Sequence, residues 1–206
     1  MSKEIRSVQF REFNVNSEND EMILEGYAAV FDQPTVLWVD NGFEYKEVLD
    51  RHAFDGADMK KCCLKYNHES GVPPLARVRG GSLELGVDDY GLKFRAKLFN
   101  TQTSRDVYEI VKAGGIDECS FAFSISEEGF EYDKASRTRT IRKIDTLWDC
   151  AVVDNPAYGG TSVSARDFFS AEAEKERLDR LEAEKREALK ADIVKMLKEL
   201  NDDPTE

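Results

Sequence analysis

Acyl-transfer chemistry by a side chain needs a hydroxyl or thiol, a base able to take its proton near neutral pH, and a group that orients the base. The base is the scarce item here. Histidine titrates in the working range, and the chain has two, His52 and His68. His68 follows the strand-like run CCLKYN and precedes a proline-rich stretch, so it falls at a strand end. Counting back by twos puts it on the face of Tyr66 and Leu64. His52, in LDRHAF, lies among charged and turn-forming residues and reads as a surface side chain.

Ser120 is the candidate nucleophile. In ECSFAFSIS, strand alternation places Ser120, Ala122, Ser124 and Ser126 on one face, with Cys119, Phe121, Phe123 and Ile125 on the other. The phenylalanines anchor the strand while the small hydroxylated face leaves room for an approaching group. Cys119 is a rival nucleophile, but its place on the phenylalanine side predicts a buried, inert thiol. The candidate orienting acid is Asp149, in LWDCAVV. Alternation groups it with Leu147, Ala151 and Val153, where a carboxylate is costly unless a partner such as a histidine N–H meets it. Asp145, in a more polar setting, is the weaker candidate. Each residue alone also has a plainer reading: a satisfied structural histidine, an exposed serine face, an acid on a strand edge facing water. Spacing by itself leaves these alternatives open.

The elements that must position these groups are mostly strands. Residues 21–31 (EMILEGYAAVF) are apolar on both faces, with Met22, Leu24, Ala28 and Val30 on one and Ile23, Tyr27 and Phe31 on the other, the mark of a central strand. Asn41-Gly42 between TVLWVD and FEYKEVL signals a two-residue hairpin. Further strands are predicted at 61–67, 81–87, 91–99, 118–126, 138–143 and 146–153, and 71–81 reads as a loop. One helix is predicted at about 104–113, with Thr103 and Asp106 as a capping box, Val107, Ile110 and Val111 as its apolar stripe, and Gly114 as its stop.

Composition then divides the chain. Residues 1–169 form an α+β domain, and 170–206 form a charged tail without glycine. The tail is predicted as one helix over 170–200, with Leu178, Leu181, Leu189, Ile193, Met196, Leu197 and Leu200 recurring at helical spacing. It is read either as a solvated helix on its own domain or as a docking arm. The 29 basic and 41 acidic residues give a net charge of −12, which repels phosphate backbones and argues against nucleic-acid binding. No apolar run is long enough for a membrane span or a secretory signal, so a soluble protein made in a cytoplasm is expected. The four cysteines contain no Cys-x-x-Cys and are read as core residues rather than zinc ligands or disulfides. No cofactor or metal is expected.

These pieces, in this order, resemble the prohead (capsid maturation) serine proteases of tailed bacteriophages. The matching stretches are EGYAAVFDQP, FEYKEVLDRHAF, YNHES followed by PLARVRGGSLEL, DDYGLKFRAKLFNTQTSRDVYEIVKAGGIDECSFAF, and LWDCAVVDNPAYGGTSV. Together they cover roughly residues 25–163. The resemblance implies a herpesvirus-protease-type fold, a strand-rich β-barrel core with short helices, here followed by the long C-terminal helix. It implies Ser120 as nucleophile, His68 as general base and Asp149 as third member. Many relatives carry Glu at the third position, so Asp149 reaches one methylene less far. Herpesvirus relatives use a second histidine after the serine, and no histidine follows Ser120 here. Cys119 stands where relatives often have Met, and His52 where many have Gly, which marks His52 as incidental.

The resemblance also implies the setting: cleavage of the major capsid protein's scaffolding region, or of a separate scaffold, inside the immature procapsid in the host cytoplasm. Self-cleavage is implied too, with the tail helping to package the enzyme or being trimmed, and a homo-oligomer is compatible with the family. The alternative from another class is a catalytically silent assembly or scaffolding factor that keeps the fold. A cysteine peptidase using Cys119 is a third.

Overall fold

The computed structural model describes residues 3–9, 14–18, 21–154 and 163–201. In chain order the strands are β1 (Glu4–Gln9), β2 (Asn14–Glu18), β3 (Glu21–Val30), β4 (Thr35–Asp40), β5 (Phe43–Leu49), β6 (Cys63–Tyr66), β7 (Ala76–Arg77), β8 (Leu83–Val87), β9 (Gly91–Lys97), β10 (Glu118–Ser124), β11 (Phe130–Asp133), β12 (Thr138–Ile141) and β13 (Thr146–Val153). Helix α1 (Gln102–Lys112) precedes β10, and α2 (Val163–Asn201) follows β13.

The strands pair into three sheets, ordered β1-β10-β13-β6-β7, β11-β12-β5-β4 and β2-β3-β9-β8. A barrel needs the two end strands of a sheet to pair with each other. Among the described residues the end strands of each sheet do not pair with each other, so an α+β fold stands, and no closed barrel is seen in them. Contacts divide the chain into two compact units, residues 1–166 and 167–206.

β10 is buried along its whole length because it is central in the first sheet and covered on both faces. Cys119, Phe121 and Phe123 lie opposite Val152, Cys150 and Leu147 of β13, and residues directly opposite share a face. Phe121 stacks on Phe123 at 5.1 Å and meets Phe54 at 6.1 Å. Complete burial of such a side chain stabilises by about 2–3 kcal/mol, which holds the strand. The other face carries Ser120 opposite Ala151 and Ala122 opposite Asp149.

Local sequence rules account for most boundaries. Asn41 and Gly42, with φ of 49° and 82°, turn β4 into β5 as the hairpin signal required. Gly114, at φ 75°, ends α1. Three expectations change. The cap of α1 is Thr101, whose hydroxyl accepts from the Ser104 amide at 3.2 Å, not Thr103. Its buried stripe is Val107, Tyr108 and Val111, while Ile110 is exposed. α2 begins at Val163, ahead of the expected residue 170. Its Leu178, Leu181, Leu189, Ile193, Met196 and Leu197 are exposed; the side chain of Leu200 and residues 155–162, which include Pro156, Ala157 and Tyr158 of the stretch LWDCAVVDNPAYGGTSV, lie outside the described residues.

Candidate active site

Asp149 faces Ser120's side of the sheet because it pairs with Ala122, in regular register with the Ser120–Ala151 pair. Ala122 pairs with Asp149 but Phe123 pairs with Leu147, so Trp148 is the extra residue and the alternation reverses across it. Leu147 therefore points into the core, fully buried, and Asp149 to the opposite face. The expected grouping of Asp149 with Leu147 is wrong for that reason, while its grouping with Ala151 holds.

His68 arrives on the same face by a turn, not by strand alternation. β6 runs parallel to β13 and ends at Tyr66, with the Asn67 amide still donating to the Val152 carbonyl at 3.0 Å. Asn67 and His68 then both adopt left-handed backbone, φ 48° and 56°. Asparagine tolerates this region and histidine visits it less readily, at a cost on the order of 1 kcal/mol or more. Asp154 clamps the turn. Its Oδ1 accepts from Asn67 Nδ2 at 3.0 Å, its Oδ2 accepts from the Tyr66 hydroxyl at 2.5 Å, and its amide donates to Asn67 Oδ1 at 3.2 Å.

These two devices bring the three distant side chains together. His68 Nε2 lies 2.7 Å from Ser120 Oγ, and Nδ1 is hydrogen-bonded to Asp149 Oδ1. With Nδ1 donating to the carboxylate, Nε2 is left to accept the serine proton. The site is closed: Ser120 is 1% exposed, Asp149 2%, and the His68 side chain 12%. Burial alone would raise the Asp149 carboxyl, but hydrogen bonds from His68 and Lys3, with their charge, hold it below the usual carboxylate range.

The remaining candidates stay outside this arrangement. Burial pushes the Cys119 thiol well up, as it sits on the phenylalanine face. Cys63 is raised by burial and then by the negative charge of Asp149. All four cysteines are buried and unpaired by disulfide. His52 is exposed and its Nδ1 contacts Asp55 at 3.0 Å. The acid on His68 is Asp149 rather than Asp145, whose backbone instead bonds to Ser124 and Asp58. Among the described residues no three His, Cys, Asp or Glu side chains are arranged to hold a metal, and no helix is long and apolar enough to cross a membrane.

Two contributors escaped the sequence reading, one just before β1 and one within it. The Lys3 ammonium donates to Asp149 Oδ2 at 2.7 Å. The Ser120 hydroxyl donates to the Arg6 carbonyl at 2.8 Å, since β1 pairs antiparallel to β10 with Ser7 opposite Ser120. The Arg6 side chain points the other way, into a buried quartet with Glu4, Glu47 and Arg139 that ties β1 to β5 and β12. KEIRSVQF shows alternating charges that look solvated, so its only usable signal was Arg6 and Glu4 sharing a parity. Their partners lie far along the chain.

A solved structure similar to this chain is that of the bacteriophage T4 capsid assembly protease, gp21, at 14% identity, covering 75% of this chain and 98% of that one, with a TM-score of 0.43. Among curated proteins none matches. A family model described as caudovirus prohead serine protease matches residues 8–176. That span is most of the chain and contains the hydroxyl, the imidazole and the carboxylate described above, and the chain belongs to the prohead serine protease family of caudoviruses.

Proposed function

We propose that this chain matures a phage capsid as a Ser-His-Asp endopeptidase, cutting the scaffolding region of the major capsid protein, and itself, inside the immature procapsid. The observation that carries the catalytic part is the 2.7 Å contact between Ser120 Oγ and His68 Nε2, with Nδ1 of the same ring on Asp149. Ser120 Oγ attacks the peptide carbonyl carbon as its proton passes to Nε2. The imidazolium formed is stabilised by Asp149 and returns the proton to the leaving amine as the C–N bond breaks. Water then repeats the sequence on the acyl-serine, its proton going to Nε2 and back to Ser120 Oγ as the acid leaves.

The domain roles belong to the same proposal. Residues 1–169 carry the protease, and 170–206 package it or are removed on activation, a role the exposed apolar stripe of α2 supports. A chain ending at Phe169 is then expected to enter procapsids poorly; equal entry refutes the packaging role. The herpesvirus-type kinship of the fold is part of this reading.

One observation favours a second reading, a silent assembly factor: the near-complete burial of Ser120. Co-expression with the cognate capsid protein separates the two. The protease reading expects a shortened coat band that Ser120→Ala abolishes and Cys119→Ala leaves. A full-length coat with the unaltered chain supports the silent factor, and loss of cleavage in Cys119→Ala alone supports a cysteine peptidase.

A further inference from the structure

The Ser120 hydroxyl has one proton and two acceptors in reach, the Arg6 carbonyl at 2.8 Å and His68 Nε2 at 2.7 Å. Both contacts are hydrogen bonds at once only when Nε2 carries a proton and donates to Oγ. The β1 backbone therefore favours the imidazolium. Asp149, bonded to the other ring nitrogen, favours it as well. Two fixed groups thus pull the base toward the form that cannot accept a proton.

Lys3 opposes them. Its ammonium donates to Oδ2 of Asp149, the oxygen the ring leaves unused. We propose that Lys3 is a positioning residue for proton transfer: by engaging Oδ2 it fixes the rotation of the Asp149 carboxylate and offsets its charge, keeping His68 neutral and able to take the Ser120 proton near neutral pH. The inference rests on the catalytic reading of the three residues above.

Other charged or titratable groups around the ring act differently. Cys63 lies opposite Asp149 in the register and Lys65 opposite Ala151, both on β6. The Cys63 thiol is held neutral by burial and by Asp149's charge. Glu118 precedes Ser120 on the same face of β10. Glu69 follows His68 in the chain, and Asp154 is engaged by Tyr66 and Asn67. Among the described residues, the lysine in contact with Asp149 is Lys3. Its side chain is 43% exposed, so solvent weakens its influence without abolishing it.

The sign follows from Coulomb's law. Removing a positive charge beside the Asp149–His68 pair makes the imidazolium easier to form, so the ring gives up its proton at higher pH.

The test is a histidine titration by NMR of the full chain, in a Ser120→Ala background that prevents self-cleavage, with and without Lys3→Met. The chain has two histidines, and exposed His52 serves as the internal reference for folding and pH. The His68 midpoint is expected to rise in Lys3→Met, to return in Lys3→Arg, and His52 to stay put. With Ser120 present, the acid limb of kcat/KM moves the same way, leaving Lys3→Met less active at the pH where the unaltered enzyme is half-active. Coincident His68 midpoints in the two chains overturn the role of Lys3. Absence of Ser120-dependent cleavage in the unaltered chain overturns the catalytic reading instead, and the titration separates the two failures.

Discussion

Replacing Glu47 by leucine should destabilise the domain more than any surface change, for reasons that can be counted on the quartet beneath β1. Glu4, Arg6, Glu47 and Arg139 are all buried, and their two positive and two negative charges cancel. Glu47 accepts from Arg6 Nε and, at 2.7 Å, from Arg6 Nη2, and from Arg139 Nη1 at 3.3 Å. Without it Arg6 keeps Glu4 at 2.6 Å and the Ile5 carbonyl at 2.8 Å, and Arg139 keeps Glu4 at 3.0 Å. One uncompensated positive charge then remains out of water, which costs about 3–5 kcal/mol. For a unit of this size that is a fall of roughly 6–20 °C in Tm. Denaturant melts in a Ser120→Ala background measure it, and Arg6→Met with Glu47→Leu, which leaves a neutral Glu4–Arg139 pair, should recover most of the loss. A loss below about 1 kcal/mol for Glu47→Leu, or no recovery in the double variant, refutes the reasoning.

Three further outcomes follow from the same structure. Burial alone would raise Glu4, but its hydrogen bonds and charge pairing with Arg139 and Arg6 win and hold it low, and Asp149 is likewise held low. A carboxyl depressed in the folded state contributes stability above its unfolded value and loses it as pH falls through the folded one, so melts should show stability dropping on acidification below about pH 4.5; a flat profile there contradicts the pairing. Gly91→Ala would put its Cβ 2.0 Å from the Ala29 carbonyl oxygen, at the bulge where β3 meets β9, and a cost of at least about 2 kcal/mol is expected in the same melts; a neutral result contradicts that register. In a coat-cleavage assay, Ser120→Ala or His68→Ala should lower kcat by about 10⁶ and Asp149→Ala by roughly 10⁴; equal and small losses argue against a single catalytic unit.

What was legible in the sequence was what local chemistry decides. The Asn41-Gly42 hairpin, the Gly114 stop and the two-faced β10 each follow from residues within a few positions of one another. The pairing of Ser120, His68 and Asp149 was legible only through family resemblance, because the register of β10 on β13 and a left-handed turn create it. Asp149 shares Ala151's face by ordinary alternation, with Leu147 turned to the core by the Trp148 bulge, while His68 reaches the site through two successive left-handed residues secured by Asp154, which no pattern of period two signals. β1 was missed because its charges look solvated until Glu47 and Arg139 are placed against them. The barrel expectation came from the family rather than from any residue, and no closed barrel is seen among the described residues.

On the proposed mechanism Ser120 acts as a nucleophile because His68 withdraws its proton. The direct measurement is mass-spectrometric mapping of a fluorophosphonate adduct, formed while coat protein is being shortened. The adduct is expected on the peptide containing Ser120, retained in Cys119→Ala and lost in His68→Ala. An adduct on any other residue, or undiminished labelling of Ser120 without His68, would contradict it.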